Sequence, residues 1–492
     1  MARTKTDSFI LELKLKTSPA DDAYLEKCFS AGCSICNTLV RHCRRQIASL
    51  RQDKDYRKLM AEYCSLKKGK ERSAVAKRLN AIVASYGLTE YSLHDFVKVQ
   101  QKKHKKYINS HVAQKVASSV WRGVEKALYG EGKYLHFRKW KDFLSLEGKN
   151  NTTGLVFRGG ILKVNQRPVH ARRQKKDGSP ARRYEEEALT RRVKYCRLVR
   201  KPVGRRYHYY VQLVLEGKPP GKRRTLGEGT GGLDIGTSTA AVVTDTECIL
   251  TVLGDGIESI EKKQWKLQRK MDRSRRAMNP QNYNPDGTVK KGRKKWTNSS
   301  HYRRMQMEYA SLCRRRAAAM KQWQEVMANR IVSQCDTIYV EQMNFKALQR
   351  KAKTSVVKEN GKHSRRKRFG RSLQSRAPAQ FCCILERKIT ALGGRYLEVD
   401  TRSFRASQYD HAADTYTKKK LSRRHAIIDG HWVQRDLYSA FLLSNSAEDL
   451  SHADRDCCIK TFDRFLKNHD ACIAAIRNTK TKIPRSFGFQ AA

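Results

Sequence analysis

The sequence predicts an α+β chain of several domains: a β-barrel interrupted near its start by a helical block, followed by an α/β domain. Three observations predict this. Apolar residues recur with period two over 9–15, with helical spacing to about 128, and with period two again over 155–164 and 207–215. Beyond a stretch rich in Gly, Pro and basic residues at 217–231, strand patterns alternate with helical ones. The length of 492 residues allows roughly two to four domains at ~150 residues each.

Phe9, Leu11, Leu13 and Leu15 alternate with Ile10, Glu12, Lys14 and Lys16, the pattern of a half-buried strand. Ser18-Pro19-Ala20-Asp21 is a capping box with proline at the first helical position. The helix it opens carries Leu25, Cys28, Phe29, Cys36, Val40 and Cys43 near one face. Val112, Val116, Val120, Val124 and Leu128 recur every four residues and stop before Gly130 and Gly132. Residues 155–164 predict a hairpin turning on Gly159-Gly160. Residues 231–245 read as strand, turn and strand. A very basic helical region spans about 257–335, broken over 279–296 by turn residues such as Asn284-Pro285-Asp286-Gly287. Then follow a strand at 336–341, a helix at 381–392, a strand at 396–399 and a helix opening at Asp436. From Asn445 onward, six acids face eight Lys or Arg, and Cys458, Phe462, Phe465, Leu466, His469, Ile473 and Ile476 mark an amphipathic helix fit to dock on the α/β domain.

Lys and Arg number 103 and Asp and Glu 47, a formal charge of +56. Such a chain repels itself unless a polyanion neutralises it, so nucleic acid is the expected partner. A metabolic enzyme for small neutral substrates is disfavoured. No apolar run approaches the ~18 residues of a membrane span. The N-terminus lacks the apolar core of a signal peptide. The 14 cysteines therefore read as reduced cytosolic thiols, and Cys33 and Cys36, the single CxxC, read as core residues of an amphipathic helix.

Three acids stand out. Asp234 ends an apolar strand and is followed by Ile-Gly, Glu341 ends another, and Asp436 opens a helix. They lie 107 and 95 residues apart, so only a shared sheet can bring them together. Converged carboxylates suit hard cations such as Mg²⁺ or Mn²⁺. Two such ions can activate water and stabilise the leaving oxygen of a phosphodiester.

Leu-Asp-Ile-Gly-Thr at 233–237, Tyr-Val-Glu-Gln-Met-Asn-Phe-Lys-Ala-Leu at 339–348 and Gln-Arg-Asp-Leu-Tyr-Ser-Ala at 434–440 resemble, in order, the three split RuvC motifs of the TnpB family and the related type V CRISPR effectors. The opening strand and helix, 111–140, 264–332 and 381–400 also look like TnpB segments, more loosely. The resemblance implies an RNA-guided DNA endonuclease in which guide RNA pairs with one strand of a double-stranded target and the protein reads a short adjacent motif. It implies Asp234, Glu341 and Asp436 as catalytic metal ligands for two Mg²⁺ or Mn²⁺ ions. It implies a wedge-like barrel at 1–17 and 129–225, a helical recognition domain at 18–128, and an RNase H-like RuvC domain at 226–400 and 434–492. It also implies a prokaryotic cytoplasmic protein acting on the nucleoid.

Two departures qualify it. The family's four-cysteine zinc ribbon falls at 401–433, which holds no cysteine and offers Asp410, His411, His425, Asp429 and His431 instead; a metal-free loop is expected there, with no structural zinc. Gln434 and Tyr438 stand where Asp and Asn are common. Five basic runs are candidate phosphate contacts: Lys102, Lys103, Lys105 and Lys106; Arg172 and Arg173; Arg273, Arg275 and Arg276; Arg314, Arg315 and Arg316; Arg365, Arg366 and Arg368. Trp121, Tyr134, Trp140 and Tyr207 are candidates for base stacking, with core packing as the competing reading. Three alternatives stay open: a guided DNA-binding regulator that does not cut, a structural RNA-binding protein, and an unguided RNase H-like nuclease or transposase.

Overall fold

A computed structural model describes residues 6–490 except 131, 133, 174–177, 205, 222–224, 351–368, 419, 421 and 480–482. The chain forms two compact units, residues 1–222 and 223–492. Each is mixed α and β.

The first unit opens with β1 (Ser8–Lys16), whose Phe9, Leu11, Leu13 and Leu15 are buried as the alternation predicts. Ser18 caps α1 (Pro19–Leu50): its hydroxyl accepts from Asp21 N at 3.2 Å and its own N–H donates to the Asp21 carboxylate at 2.9 Å. Four helices follow, α2 (Lys54–Ser65), α3 (Lys70–Ser85), α4 (Glu90–Lys102) and α5 (Ser110–Tyr129). Then come β2 (Ser145–Glu147), β3 (Leu155–Arg158), β4 (Ile161–Val164), β5 (Arg167–Arg172), α6 (Pro180–Leu189), β6 (Val193–Val203) and β7 (Arg206–Glu216). Gly159 and Gly160, at φ 54° and 79°, make the tight β3–β4 turn that L-residues with side chains resist.

The seven strands order as β2-β6-β7-β1-β5-β4-β3. This corrects the expected barrel. The sheet curls until β3 lies against β6, but among the described residues no ladder joins the end strands β2 and β3, leaving a half-barrel. The end strands are three and four residues long, and each pairs on one side only, β2 with β6 and β3 with β4. The helices inserted after β1 share one core with this sheet. Cys28, Cys33, Cys36 and Cys43 lie inside it, and burial pushes the Cys36 thiol up to about 11 and Cys28 and Cys43 to about 12.

The second unit begins with β8 (Thr230–Ile235), β9 (Thr239–Thr244) and β10 (Cys248–Val252). The basic helical region becomes α7 (Glu261–Met278) and α8 (Ser300–Val332), separated as the turn residues predict. Next are β11 (Thr337–Glu341), α9 (Phe345–Leu348), α10 (Gly370–Arg376), α11 (Pro378–Ala391), β12 (Arg395–Val399) and α12 (Thr401–Phe404). Two small hairpins, β13 (Tyr409–Asp410) with β14 (Thr415–Tyr416) and β15 (His425–Ile428) with β16 (His431–Gln434), lead into α13 (Arg435–Ser444) and α14 (Arg455–Thr479).

The sheet orders as β10-β9-β8-β11-β12, antiparallel from β10 to β8 and parallel from β8 to β12. Alternation splits it into two faces. Leu233, Ile235, Ile338 and Val340 pack against Ile331 of α8 and Phe381 and Leu385 of α11. Ala241, Val243 and Tyr339 pack on the other side with Leu437, Ala440 and Phe441 of α13. The C-terminal pattern becomes α14, with Cys458, Phe462, Phe465, His469, Ile473 and Ile476 buried and Leu466 partly so. Among the described residues, no helix is long and apolar enough to cross a membrane.

Candidate active site

Register places the first two acids. Val340 pairs with Leu233 in the parallel β8–β11 ladder, so Asp234 and Glu341 occupy the next positions, side by side on one face. Gly232, two residues before Asp234, identifies that face. A Cβ built on it would stand 1.9 Å from Ala440 O and 2.6 Å from Ser444 N, both backbone atoms of α13. Only glycine lets this helix lie so close, and its first turn brings in Asp436. The three sequence-predicted acids thus gather at one end of the sheet face that α13 covers, each half-buried.

Their electrostatics match. Asp234 is held well above the ordinary carboxylate range, by burial first and then by the charges of Asp436 and Glu341. Burial also raises Glu341 and Asp436. Arg435 pulls all three back, and Arg424 does so for Asp234 and Asp436. Among the described residues, no group of three or more His, Cys, Asp or Glu side chains is drawn close enough to hold a metal ion. The acids are therefore coupled through space rather than closed into a ligand shell. Their chemistry still fits a hard divalent cation: three oxygen donors whose mutual repulsion a cation would relieve.

Sequence reasoning marked Gln434 only as a departure from the motif and missed the other groups that support Asp436. Gln434, fully buried, caps α13 by accepting from Leu437 N at 2.7 Å. Its own N–H donates to Nε2 of His469 at 2.9 Å, and Nδ1 of His469 pairs with Asp470 at 2.8 Å. With Nε2 accepting, the proton sits on Nδ1 and donates to Asp470, which fixes the tautomer. Arg435 is half-buried, and its Nη1 is buried with no hydrogen-bond partner among the described residues. Its position just before Asp436 in the third motif was the available signal.

The described residues of 401–433 include α12 and most of the two hairpins. His411 is buried, its Nδ1 is 2.8 Å from the Tyr438 hydroxyl, and its ring packs on Phe441 and Phe462; burial keeps it neutral. Asp410 Oδ1 accepts from Ala412 N and Ala413 N, forming a turn. His425 stacks on Trp432.

The basic runs divide. Lys102, Lys103, Lys105 and Lys106, at the end of α4 and in the turn after it, are exposed, as is Arg172. Arg173 pairs with buried Glu185. On α7, Arg275 donates to the Tyr302 hydroxyl at 2.5 Å, Arg276 lies over Tyr283, and Arg273 is exposed. On α8, Arg314 and Arg315 are exposed, while Arg316 donates to Glu258 O at 2.7 Å. Bonds from Gln264 to Cys313 and from Ser274 to Ser299 show α7 and α8 antiparallel, so the α7 run lies near the start of α8 and the α8 run, at mid-helix, lies near the start of α7. Arg365, Arg366 and Arg368 lie outside the described residues.

No family model matches the chain, and no curated protein matches it. Among solved structures it is similar to the cryo-EM structure of a Cas12f1–sgRNA–target DNA complex, at 11% identity and a TM-score of 0.38, covering 90% of this chain and 99% of that one. It is also similar to the cryo-EM structure of a CRISPR–Cas12f ternary complex, at 12% identity and a TM-score of 0.26, covering 86% of this chain and 80% of that one.

Proposed function

We propose that the protein is an RNA-guided DNA endonuclease of RuvC type that hydrolyses phosphodiesters at Asp234, Glu341 and Asp436. The observation that carries this reading is the gathering of three acids, 107 and 95 residues apart in sequence, on the α13 side of one sheet. Each belongs to a stretch that resembles one of the three RuvC motifs. The charge of +56 and the exposed lysines after α4 support guide RNA and duplex DNA as partners.

Two Mg²⁺ or Mn²⁺ ions held by the three carboxylates would supply an activated water and stabilise the leaving oxygen. The chain's own residues do the rest. The β8–β11 register fixes the spacing of Asp234 and Glu341. The Gln434 cap and the Gly232 contact fix α13, and with it Asp436. Arg435 offers an unpartnered donor to an oxygen of the scissile phosphate. It also holds the neighbouring acids nearer their ionised, ligating form.

One observation favours a second reading, a guided DNA binder that does not cut: no three acids close into a metal shell among the described residues. One experiment separates the two. The protein is purified from cells expressing its native locus and the copurifying RNA is sequenced. Plasmids carrying the matching target beside a randomised flank are then offered with Mg²⁺, alongside Asp234→Ala. Depletion of particular flanks by the wild type alone is the expected result. Target binding without cutting would establish the regulator, and absence of a discrete RNA would overturn the guided reading.

A further inference from the structure

In the first unit, residues 134–144 form an aromatic and cationic strip. Tyr134 is 69% exposed, Phe137 45%, Trp140 39% and Leu144 37%. His136, Arg138, Lys139 and Lys141 are interleaved with them and exposed, against one acid, Asp142. Large exposed rings in a row are costly in water unless something covers them. Burial of Leu135 and Phe143 explains how the strip is held down but not why its rings face outward. The strip is also tied to α1. Asn37 of α1 clamps Arg138, accepting from its N at 2.8 Å and donating to its O at 3.0 Å.

Beneath Trp140 lies Arg200 of β6. It is fully buried, with its guanidinium 3.7 Å from the Trp140 ring centroid, 4.3 Å from Tyr207 and 4.6 Å from Phe29. Nε donates to Phe143 O at 3.1 Å and Nη2 to Trp140 O, while Nη1 has no partner among the described residues. Among the described residues no carboxylate forms an ion pair with it, and Glu26 acts on it through space. A buried cation without an anion is held here by rings and carbonyls. It lies against the Trp140 ring and bonds the Trp140 carbonyl, so the indole is packed on a cation. The contact recorded on the Trp140 ring is this cation.

We propose that Trp140, backed by Arg200 and Tyr207, is a stacking platform for an unpaired nucleobase of a single-stranded nucleic acid whose phosphates run along Arg138, Lys139 and Lys141. The alternation of rings and cations matches the alternation of bases and phosphates on a single strand. The chain's +56 charge favours such a polyanion over a protein partner. Nothing here depends on cleavage at Asp234, so failure of the nuclease reading leaves the platform standing, and the reverse.

The test uses the full chain and fluorescent 12-nucleotide strands of RNA and of DNA, each with and without bases at its centre. Binding is read by anisotropy, and stacking by quenching of a central 2-aminopurine. Trp140→Ala should weaken binding of the intact strand about 5- to 100-fold and remove the quenching. On the abasic strand, Trp140→Ala and wild type should bind alike. Trp140→Phe keeps a ring and should keep most of both signals. Tyr91→Ala, at an 82% exposed ring elsewhere in the unit, should change neither. The RNA and DNA arms show which strand the platform prefers. Equal binding of intact strands by wild type and Trp140→Ala would overturn the proposal. So would an equal loss on intact and abasic strands, which would mark Trp140 as a packing residue. If Trp140→Ala fails to fold, wild-type binding without quenching would overturn it just as well.

Discussion

Replacing Gly232 by alanine tests how the site is built. The added methyl would sit 1.9 Å from Ala440 O and 2.6 Å from Ser444 N. Both atoms belong to the α13 backbone, so no rotamer change relieves the clash. Reaching even 3.0 Å from Ala440 O moves the helix by at least about 1.1 Å. The helix moves as a body, and Asp436 lies about one turn from Ala440. A misplacement of about 1 Å costs on the order of 10²-fold in rate. Overpacking of this kind costs about 1–3 kcal/mol, or roughly 2–4 °C of melting temperature per kcal/mol for domains of 150–250 residues. Gly231→Ala is the control. Its Cβ would face Cys335 Sγ at 3.1 Å on the opposite side of the sheet, against a side chain that can shift. The assay is single-turnover cleavage of a guide-matched duplex, paired with thermal melting. Gly232→Ala should lose about 10²-fold in cleavage and several degrees, and Gly231→Ala much less of each. Equal behaviour of the two variants would refute both the face assignment and the seating of α13.

Four further outcomes are expected. Asp234 binds its proton more tightly when folded than unfolded, so stability falls as pH rises from about 3.8 through the raised folded value. At neutral pH, Asp234→Asn should therefore melt higher than wild type while losing cleavage, and added Mg²⁺ should narrow the gap; a lower melting temperature would count against the acid cluster. Burial lowers the pKa of His469, so its contribution to stability is complete above about 6.5 and lost as pH falls below that; His469→Gln should flatten the fall in melting temperature between pH 7 and pH 5. Arg435→Gln should slow cleavage about 10²-fold with target binding retained, and should shift the acidic limb of the pH–rate profile upward because the acids lose the charge that favours their ionised form. Replacing Lys102, Lys103, Lys105 and Lys106 with glutamine should reduce the slope of log K against log salt by up to ~0.9 per lysine that contacts duplex phosphate, which a titration at several salt concentrations reads directly.

What the sequence made legible was whatever a local pattern encodes. The capping box of α1, the Gly159-Gly160 hairpin, the buried stripe of α14 and the burial of the β1 leucines each depend on residues close in sequence. Strand β6 escaped because its inward positions are Cys196, Leu198 and Arg200, and an arginine at a core position breaks the apolar alternation. Strand β5 escaped because only Val169 and Ala171 face the core. The alternation predicts a wedge-like barrel and the sheet is a curled half-barrel, because strand patterns do not report whether the end strands pair. The three acids were found through their motifs, but Arg435 and His469 gain their roles from tertiary neighbours that a linear pattern does not name.

The same contrast accounts for the electrostatic design. In a chain of +56, the low-cost arrangement would place each acid beside one of the many arginines, as in the Glu147–Arg197 and Glu325–Arg387 pairs. Asp234, Glu341 and Asp436 are instead packed near one another, and burial and mutual repulsion hold Asp234 far from its ordinary range. Helix α13 holds Asp436 there through a glycine contact and the buried Gln434 cap, whose side chain also hydrogen-bonds the Asp436 carboxyl. A site that costs stability and is supported by dedicated packing is one in which an added cation gains most, because it removes a repulsion already present in the fold. Charge balance alone would have paired these acids with arginine; their clustering is the feature that a purely structural, RNA-coating role leaves unexplained.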